Sequence, residues 1–343
     1  MIGKRNILFV AVIVLILLII LGIISGSESI SLDAIYRSFF NDEVRKSREL
    51  KQVAFIIQEI RIPRVITDIV AGMGLAVAGL VMQSYFRNAL AGPYILGISS
   101  GAGLGVALYI MAGIGIGIEL TSIMSGMVFS AIAGSLLLLF LILIASRKIG
   151  NGSMLLILGL MMGTIASAII SLLQYFSGSE AIKKHLIWTM GNTGSVDSSE
   201  LFVLAPVVLI GISLIVSQTK ALNALLLGDY QAMALGISTK KVKTILIIAT
   251  GIVAGAITAY CGPIAFLGLS VPHIAKLTMR TSNHKVLIPA TLIMGAIFLL
   301  LCDIIAQLPS SDTVLPVNVI TSLLGAPIVI LIILRQKRNA HVG

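Results

Sequence analysis

Long apolar runs are the feature that most limits what this chain can fold into. Ten of them follow one another along the 343 residues, and the segments between them carry most of the charges. About 20 apolar residues in a helix cross the ~30 Å hydrocarbon core of a bilayer. With 57% apolar and 11% charged residues, the chain has more apolar side chains than one soluble core can bury. The sequence predicts an all-α, polytopic membrane protein whose ten transmembrane helices form one domain, residues 1–343.

The basic residues predict how these helices are oriented. The runs lie at residues 7–24, 65–86, 94–112, 120–145, 154–176, 201–217, 242–260, 264–279, 286–307 and 316–334. Cytoplasmic loops are enriched in Lys and Arg. With the N-terminus inside, 15 of the 24 basic residues fall in inner segments, and seven others lie in one long outer segment, residues 25–64. We therefore expect a multi-pass protein of the cell (inner) membrane with both termini in the cytoplasm.

Sequence motifs for catalysis are missing from the chain. It contains no GxxxxGK[ST] phosphate loop, no HExxH and no GxSxG, so we expect neither an enzyme nor a bound cofactor. The four histidines are scattered, which favours satisfied loop histidines over a metal site. Cys261 and Cys302 lie in or beside apolar runs and are interpreted as small buried side chains. The net charge of +10 reflects cytoplasmic loops rather than nucleic-acid binding.

Ionisable residues are also rare within the apolar runs. Asp68 and Asp303 lie toward outer ends, and Lys276 lies near an inner end. Ion-coupled carriers usually place charged residues near the bilayer midplane, so we expect the energy for transport to come from another protein. An ion-coupled secondary transporter is the alternative function. An integral membrane enzyme is a third, and it would need clustered polar groups.

One inner loop, residues 220–241, has the character of a docking element. Residues 225–238 predict two short helical turns punctuated by Gly228 and Gly236, with Ser238 placed to cap the next helix. A short amphipathic helix can insert into a partner's groove or lie on the membrane surface. The residue pattern leaves both possibilities open.

Five motifs, in order along the chain, resemble those of one transport family. They are Arg61–Arg64; Phe86–Pro93 with Leu96–Ala102; Gly228–Gly236; Gly262–Ile264 with Gly268–Leu269 and Pro272–His273; and Leu315–Val317 with Leu324–Pro327. Together they resemble the permease subunits of the FecCD family of ATP-binding-cassette (ABC) importers. Ala89 and Gly92 stand where the family commonly has a proline and an acidic residue, respectively. Lys276 stands where the family commonly has an arginine. Gln307 stands where the family's vitamin B12 permease has Arg.

The resemblance implies a type II importer with a vitamin B12 permease-like fold. Such a protein is a homodimer in membrane lipid, with two ABC ATPase subunits that hold ATP and Mg. An extracytoplasmic substrate-binding protein delivers an iron-siderophore, haem or cobalamin to it. The resemblance also implies that Arg61 and Arg64, at the outer entrance of the second span, dock acidic residues of that binding protein. The alternative for both arginines is a role as interfacial anchors.

The resemblance also implies which residues meet the ATPase and which line the path. The coupling residues would be Leu227, Gly228, Asp229, Ala232, Leu235 and Gly236. The path would follow the homodimer axis between the fifth and tenth helices, with an inner gate at residues 150–153, including Gly152 and Ser153; a plain turn is the alternative.

A set of weakly polar residues along the fifth helix predicts the lining of this path. Its members recur at helical spacing and so share one face. They are Thr164, Ser167, Ser171 and Gln174. A neutral lining passes a polar chelate without trapping it, whereas fixed charges bind metal ions tightly. We therefore expect an intact chelate as substrate rather than a free metal ion.

Overall fold

The computed structural model describes residues 3–26, 48–113, 123–149, 152–308 and 314–340, and in these ranges it contains helices but no strand. Two 3₁₀ turns, Pro93–Leu96 and Thr193–Ser195, connect some of the helices. The helices are α1 Lys4–Ile24, α2 Arg48–Phe55, α3 Ile62–Phe86, α4 Ile98–Met111, α5 Ile123–Lys148, α6 Gly152–Phe176, α7 Ser179–Thr189, α8 Ser198–Ser217, α9 Thr219–Leu225, α10 Asp229–Ala234, α11 Thr239–Cys261, α12 Leu267–Met279, α13 His284–Ala306 and α14 Val317–Ala340.

Each predicted apolar run contains one of these helices, which confirms the all-α fold class. In the part of the chain that the structure describes, seven helices are long and apolar enough to cross a membrane. Two shorter apolar helices lie at Ile98–Met111 and Val317–Leu331. The number of ten membrane crossings stays a prediction.

The second apolar run continues a helix that starts well before it. One π-helical turn, Ile56–Arg61, joins α2 to α3, so the chain is helical from Arg48 to Phe86. Pro63, which has no N–H to donate, comes two residues after the end of this π-helical turn. Part of the predicted outer segment is therefore helical, and residues 27–47 of it lie outside the described residues.

Helix α3 forms the centre of the fold and packs against α8, α11, α12 and α13. In an apolar stretch of 18 residues within this helix, 83% of the residues are buried. A Cβ added to Gly72 would lie 2.4 Å from the Gly295 carbonyl oxygen of α13, so only glycine lets these two backbones approach. A Cβ added to Gly101 of α4 would lie equally close, 2.4 Å, to the Gly134 carbonyl oxygen of α5. At both contacts, glycines let the backbones of neighbouring helices approach closely.

Helix α6 lies at the edge of the chain. In an apolar stretch of 18 residues within α6, only 17% of the residues are buried, because α6 contacts the other helices through one narrow stripe. Gly159 in this stripe approaches the carbonyl of Ile95, and Leu155 and Ala166 are buried on the same side. The rest of α6 is open in a single copy of the chain.

The hydrogen bonds define two ends of the helix bundle, named here from the predicted orientation. At the outer end, Arg61 and Arg64 lie near the end of α1 and the end of α13. At the inner end, Arg87 lies near α9 and α10. Ser238 is the N-cap residue of α11, as predicted, but its side chain makes no capping hydrogen bond.

The described histidines lie on helices, so the expectation of loop positions is wrong. His185, His273 and His284 belong to α7, α12 and α13. Each is largely buried and has a ring nitrogen within hydrogen-bonding distance of a protein oxygen. Burial lowers the pKa of His185, which is therefore neutral at physiological pH. His341 lies outside the described residues.

Candidate functional site

At the outer end, Arg64 forms a two-pronged ion pair with Asp303. Its Nε lies 2.9 Å and 3.1 Å from the two carboxylate oxygens, and its Nη2 lies 2.5 Å from Oδ1. The Arg64 side chain is 16% exposed and that of Asp303 is 2% exposed. Gln307, one turn further along α13, donates to Asp303 Oδ2 at 2.7 Å. The pair therefore links the beginning of α3 to the end of α13.

Arg61 is turned toward the end of α1. Its Nη1 donates to the carbonyl oxygens of Ile23 and Ile24 at 2.9 Å and 2.7 Å, so the cation caps the last turn of that helix. The residue is buried. The structure thus brings both predicted docking arginines to one end of the bundle, and it directs both guanidinium groups inward. Their docking role stays a prediction, and it requires one or both groups to leave these partners.

At the inner end, the predicted coupling loop contains two short helices, α9 and α10. Gly228 separates them with a positive φ of 124°, and Gly236 follows α10 with a φ of 80°; both are conformations that favour glycine. The two turns and the glycines between them agree with the predicted pattern.

The orientation of α10 corrects one of the coupling residues. Ala232 is fully buried in the core of this chain, so its side chain does not face a partner, contrary to expectation. A small side chain at this position lets α10 lie close to the helices behind it. The predicted Leu227 and Leu235 are 64% and 63% exposed, and Tyr230 and Met233 of the same loop are 84% and 49% exposed. Sequence reasoning missed Tyr230 and Met233, although both lie in the same loop.

Asp229 fixes the loop to two other helices. Arg87, the left-handed residue that ends α3, donates to Asp229 Oδ1 at 3.1 Å and to the Leu225 carbonyl at 3.2 Å. Lys243 of α11 donates to the other carboxylate oxygen of Asp229. This inner ion cluster of Arg87, Asp229 and Lys243 is partly solvated, with side chains 54%, 40% and 24% exposed.

Two buried polar contacts extend from the same end of α3. Ser84 Oγ lies 2.8 Å from His284 Nε2, and His284 Nδ1 lies 3.0 Å from Asn223 Oδ1 of α9. Lys276 of α12 donates to Gln83 Oε1 at 3.0 Å. The contacts through His284 connect Asn223 of the coupling loop to the helix at the centre of the fold, and the Lys276 contact connects α12 to the same helix. Sequence reasoning missed them, because partners from segments far apart in the chain carry no common pattern.

The predicted path residues lie on the open side of α6. Thr164, Ser167 and Ser171 are exposed and Gln174 is half-buried. The Thr164 and Ser171 hydroxyls donate to the carbonyls of Leu160 and Ser167 on their own helix, each at 3.0 Å. The face is therefore neutral, and the hydroxyls of Thr164 and Ser171 donate within the helix. Its role as the path stays a prediction.

The predicted gate is only partly described. α6 begins at Gly152 and includes Ser153, so these two residues are helical rather than part of a loop. Residues 150 and 151 lie outside the described residues. Among the residues that the structure describes, no group of three His, Cys, Asp or Glu side chains could hold a metal ion.

Comparison with known proteins gives consistent matches along most of the chain. A model of the FecCD transport family matches residues 14–335. The vitamin B12 import system permease protein BtuC of Citrobacter koseri is 37% identical over 283 residues, which are 82% of this chain and 84% of that protein. The protein of the same name from Klebsiella pneumoniae is 38% identical over 281 residues, or 82% and 83% of the two chains.

Solved structures resemble the fold as well. An inward-facing metal-chelate type ABC transporter superposes with a TM-score of 0.84 at 28% identity, covering 96% of this chain and 99% of that one. PsaBC from Streptococcus pneumoniae, solved with a Fab, superposes with a TM-score of 0.50 at 17% identity and covers 87% and 94%. The second likeness concerns the fold only.

Proposed function

Because this chain belongs to the FecCD transport family, we propose that it imports an intact iron-siderophore, haem or cobalamin across the cell membrane. The chain is an ABC importer permease, a transport pore rather than an enzyme. In the proposed assembly two copies form the pore, two ABC ATPase subunits bind their inner ends, and a substrate-binding protein docks outside. Relatives named as vitamin B12 permeases and a metal-chelate type transporter support this substrate class.

The neutral open face of α6 carries the proposal of an intact chelate. Residues 152–176 contain no charged residue, and the hydroxyls of Thr164 and Ser171 are satisfied within the helix. Such a surface offers no strong ligand to a bare metal ion. It gives weak contacts to the polar rim of a large chelate, and weak contacts allow the substrate to leave.

Uptake by proteoliposomes tests the substrate class. The vesicles contain the permease with its co-purified ATPase and receive, together with the substrate-binding protein, cyanocobalamin, a ferric hydroxamate siderophore, haem or free ferric ions in parallel assays. We expect ATP-dependent uptake of one of the three large compounds and none of the free ion. Uptake of free ferric ions without a chelator would contradict the proposal.

Bulky substitutions test whether the face of α6 lines the path. Ser167→Trp with Ser171→Trp should abolish uptake while the protein remains assembled in the membrane. Ser213→Trp on α8 is the matched control, because Ser213 is also exposed and its hydroxyl also donates within its own helix. Equal uptake by both variants would place the path elsewhere.

The exposed side chains around α10 form the proposed ATPase contact. Tyr230 and Leu235 project from the inner end, while Arg87 and Lys243 fix Asp229 behind them. Tyr230→Ala should weaken co-purification of the ATPase subunit. Tyr175→Ala is a matched control, since Tyr175 is 82% exposed on α6 and Tyr230 is 84% exposed. Ala232→Trp is unsuitable as a test, because it would disturb the permease's own packing.

Site-directed labelling tests the proposed orientation. The two native cysteines are buried, so the background for an impermeant thiol reagent is low. Glu180→Cys in α7 should react on intact cells, and Lys240→Cys in α11 should react only after the cells are opened. Labelling of both positions on intact cells would contradict cytoplasmic termini with an even number of crossings.

A further inference from the structure

Within the described part of the chain, Asp68 is an acid without a hydrogen-bond partner, and it lies between packed helices. The residue is fully buried on α3, and neither carboxyl oxygen has a partner in the structure. Its polar neighbours are Asp303 and Thr193, and the Thr193 hydroxyl donates to Asp303 Oδ1 at 3.4 Å. Asp68 is not itself one of the docking, coupling or path residues described above, although it lies one helical turn from Arg64.

The neighbouring cation is already committed to another acid. Arg64 lies one helical turn before Asp68 on the same face of α3. Its Nε and Nη2 are directed at Asp303, which also accepts from Gln307. Two acids and one cation leave one excess negative charge if both acids are ionised. The charge of Asp303 also acts directly against a second negative charge on Asp68.

Among the residues that the structure describes, the remaining ionisable neighbours named for Asp68 supply no further positive charge. Cys302 of α13 and Cys261 of α11 are near enough to interact electrostatically with Asp68, and both are buried thiols. Glu200 of α8 lies near Cys261 and is a further acid. An unpaired carboxylate is strongly disfavoured in such surroundings, and a buried acid avoids this penalty by binding a proton.

We propose that Asp68 is a proton-binding site, at which a neutral carboxylic acid lies beside the ionised pair of Arg64 and Asp303. The proton is bound on folding, because an aspartic acid in the unfolded chain, with a pKa of about 3.9, is ionised at neutral pH. No bond other than the carboxyl O–H forms. Two acids thus share one cation and one proton, and the buried cluster is neutral.

The proton gives the stability of the protein a defined pH dependence. The folded state binds one more proton than the unfolded state, so the free energy of unfolding falls as pH rises. Asp68→Asn keeps the shape of the neutral acid and removes this proton. The ratio of the wild-type unfolding constant to that of the variant should rise about tenfold per pH unit, or about 100-fold from pH 5 to pH 7.

Unfolding in mixed micelles of detergent and denaturant measures this ratio, with Asp197→Asn as the matched control. Asp197 is the N-cap of α8, and hydrogen bonds from Ser199 and the Glu200 N–H lower its pKa, so it is ionised in both states over this range. The control ratio should not change with pH. A constant ratio for Asp68→Asn would overturn the proposal. So would a stabilisation of wild type by sodium over choline that Asp68→Asn abolishes, because the site would then hold a cation.

Infrared spectroscopy of the folded protein in lipid provides a second test that needs no unfolding. At neutral pH, wild type should show the carbonyl stretch of a protonated carboxylic acid. Asp68→Asn should lose one such band, and Asp197→Asn should retain it. An acid band that is identical in wild type and Asp68→Asn would show that Asp68 is ionised, which would overturn the proposal.

Discussion

The two ends of the bundle use the same chemistry in different surroundings. At the outer end, Arg64 and Asp303 are 16% and 2% exposed and lie between tightly packed helices. At the inner end, Arg87 and Asp229 are 54% and 40% exposed and hold a loop of two short helices. Removing one partner of a buried pair leaves an uncompensated charge, whereas an exposed pair is largely replaced by water. The outer pair therefore specifies one packing of the helices, and the inner cluster can rearrange at small cost.

The largest expected effect is at the outer end. Arg64→Met leaves Asp303 buried without its cation, and we expect a loss of about 3–5 kcal/mol in the free energy of unfolding. Denaturant titration in mixed micelles at neutral pH measures the change. A loss below about 1 kcal/mol would mean that water reaches the pair, and the contrast between the two ends would disappear.

Removing both outer partners should cost less than removing one. Arg64→Met with Asp303→Leu replaces the ion pair by apolar side chains, so no charge of the pair remains buried. We expect the double variant to recover most of the stability and to lie within about 1–2 kcal/mol of wild type. If the double variant is no more stable than Arg64→Met, the pair contributes more than the compensation of charge.

A smaller effect on stability is expected at the inner end. Asp229→Asn removes the shared acceptor of Arg87 and Lys243, and we expect a change of about 0.5 kcal/mol, because all three groups are partly solvated. Co-purification of the ATPase should fall more clearly, since α10 loses its attachment to α3 and α11. A loss of stability comparable to that of Arg64→Met would contradict this division between the two ends.

The smallest effect is the response to salt. A double-mutant cycle on Arg87 and Asp229 should give a coupling free energy of a few tenths of a kcal/mol at low salt. This coupling should approach zero at about 1 M salt, where the Debye length is about 3 Å. The cycle on Arg64 and Asp303 should be unchanged, because buried pairs are screened much less. Equal salt dependence of both cycles would contradict the difference in burial.

Local patterns in the sequence predicted the helices and much of the inner loop. Each apolar run contains a helix because length and hydrophobicity are properties of a continuous segment. Gly228 and Gly236 mark the ends of α10 for the same reason, since a positive φ is a local requirement. The family resemblance added the importer function, which composition does not contain.

The direction in which side chains face depended on tertiary structure. Ala232 is buried because other helices pack against one side of α10. Arg64 turns inward because Asp303, 239 positions away along the chain, lies beside it. No local period relates such distant residues, so the sequence marked both as charged residues near outer ends without pairing them. The sequence by itself determined the apolar runs, the helices that form in them and the family. Helix packing decided which charges are paired and which acid is left to bind a proton.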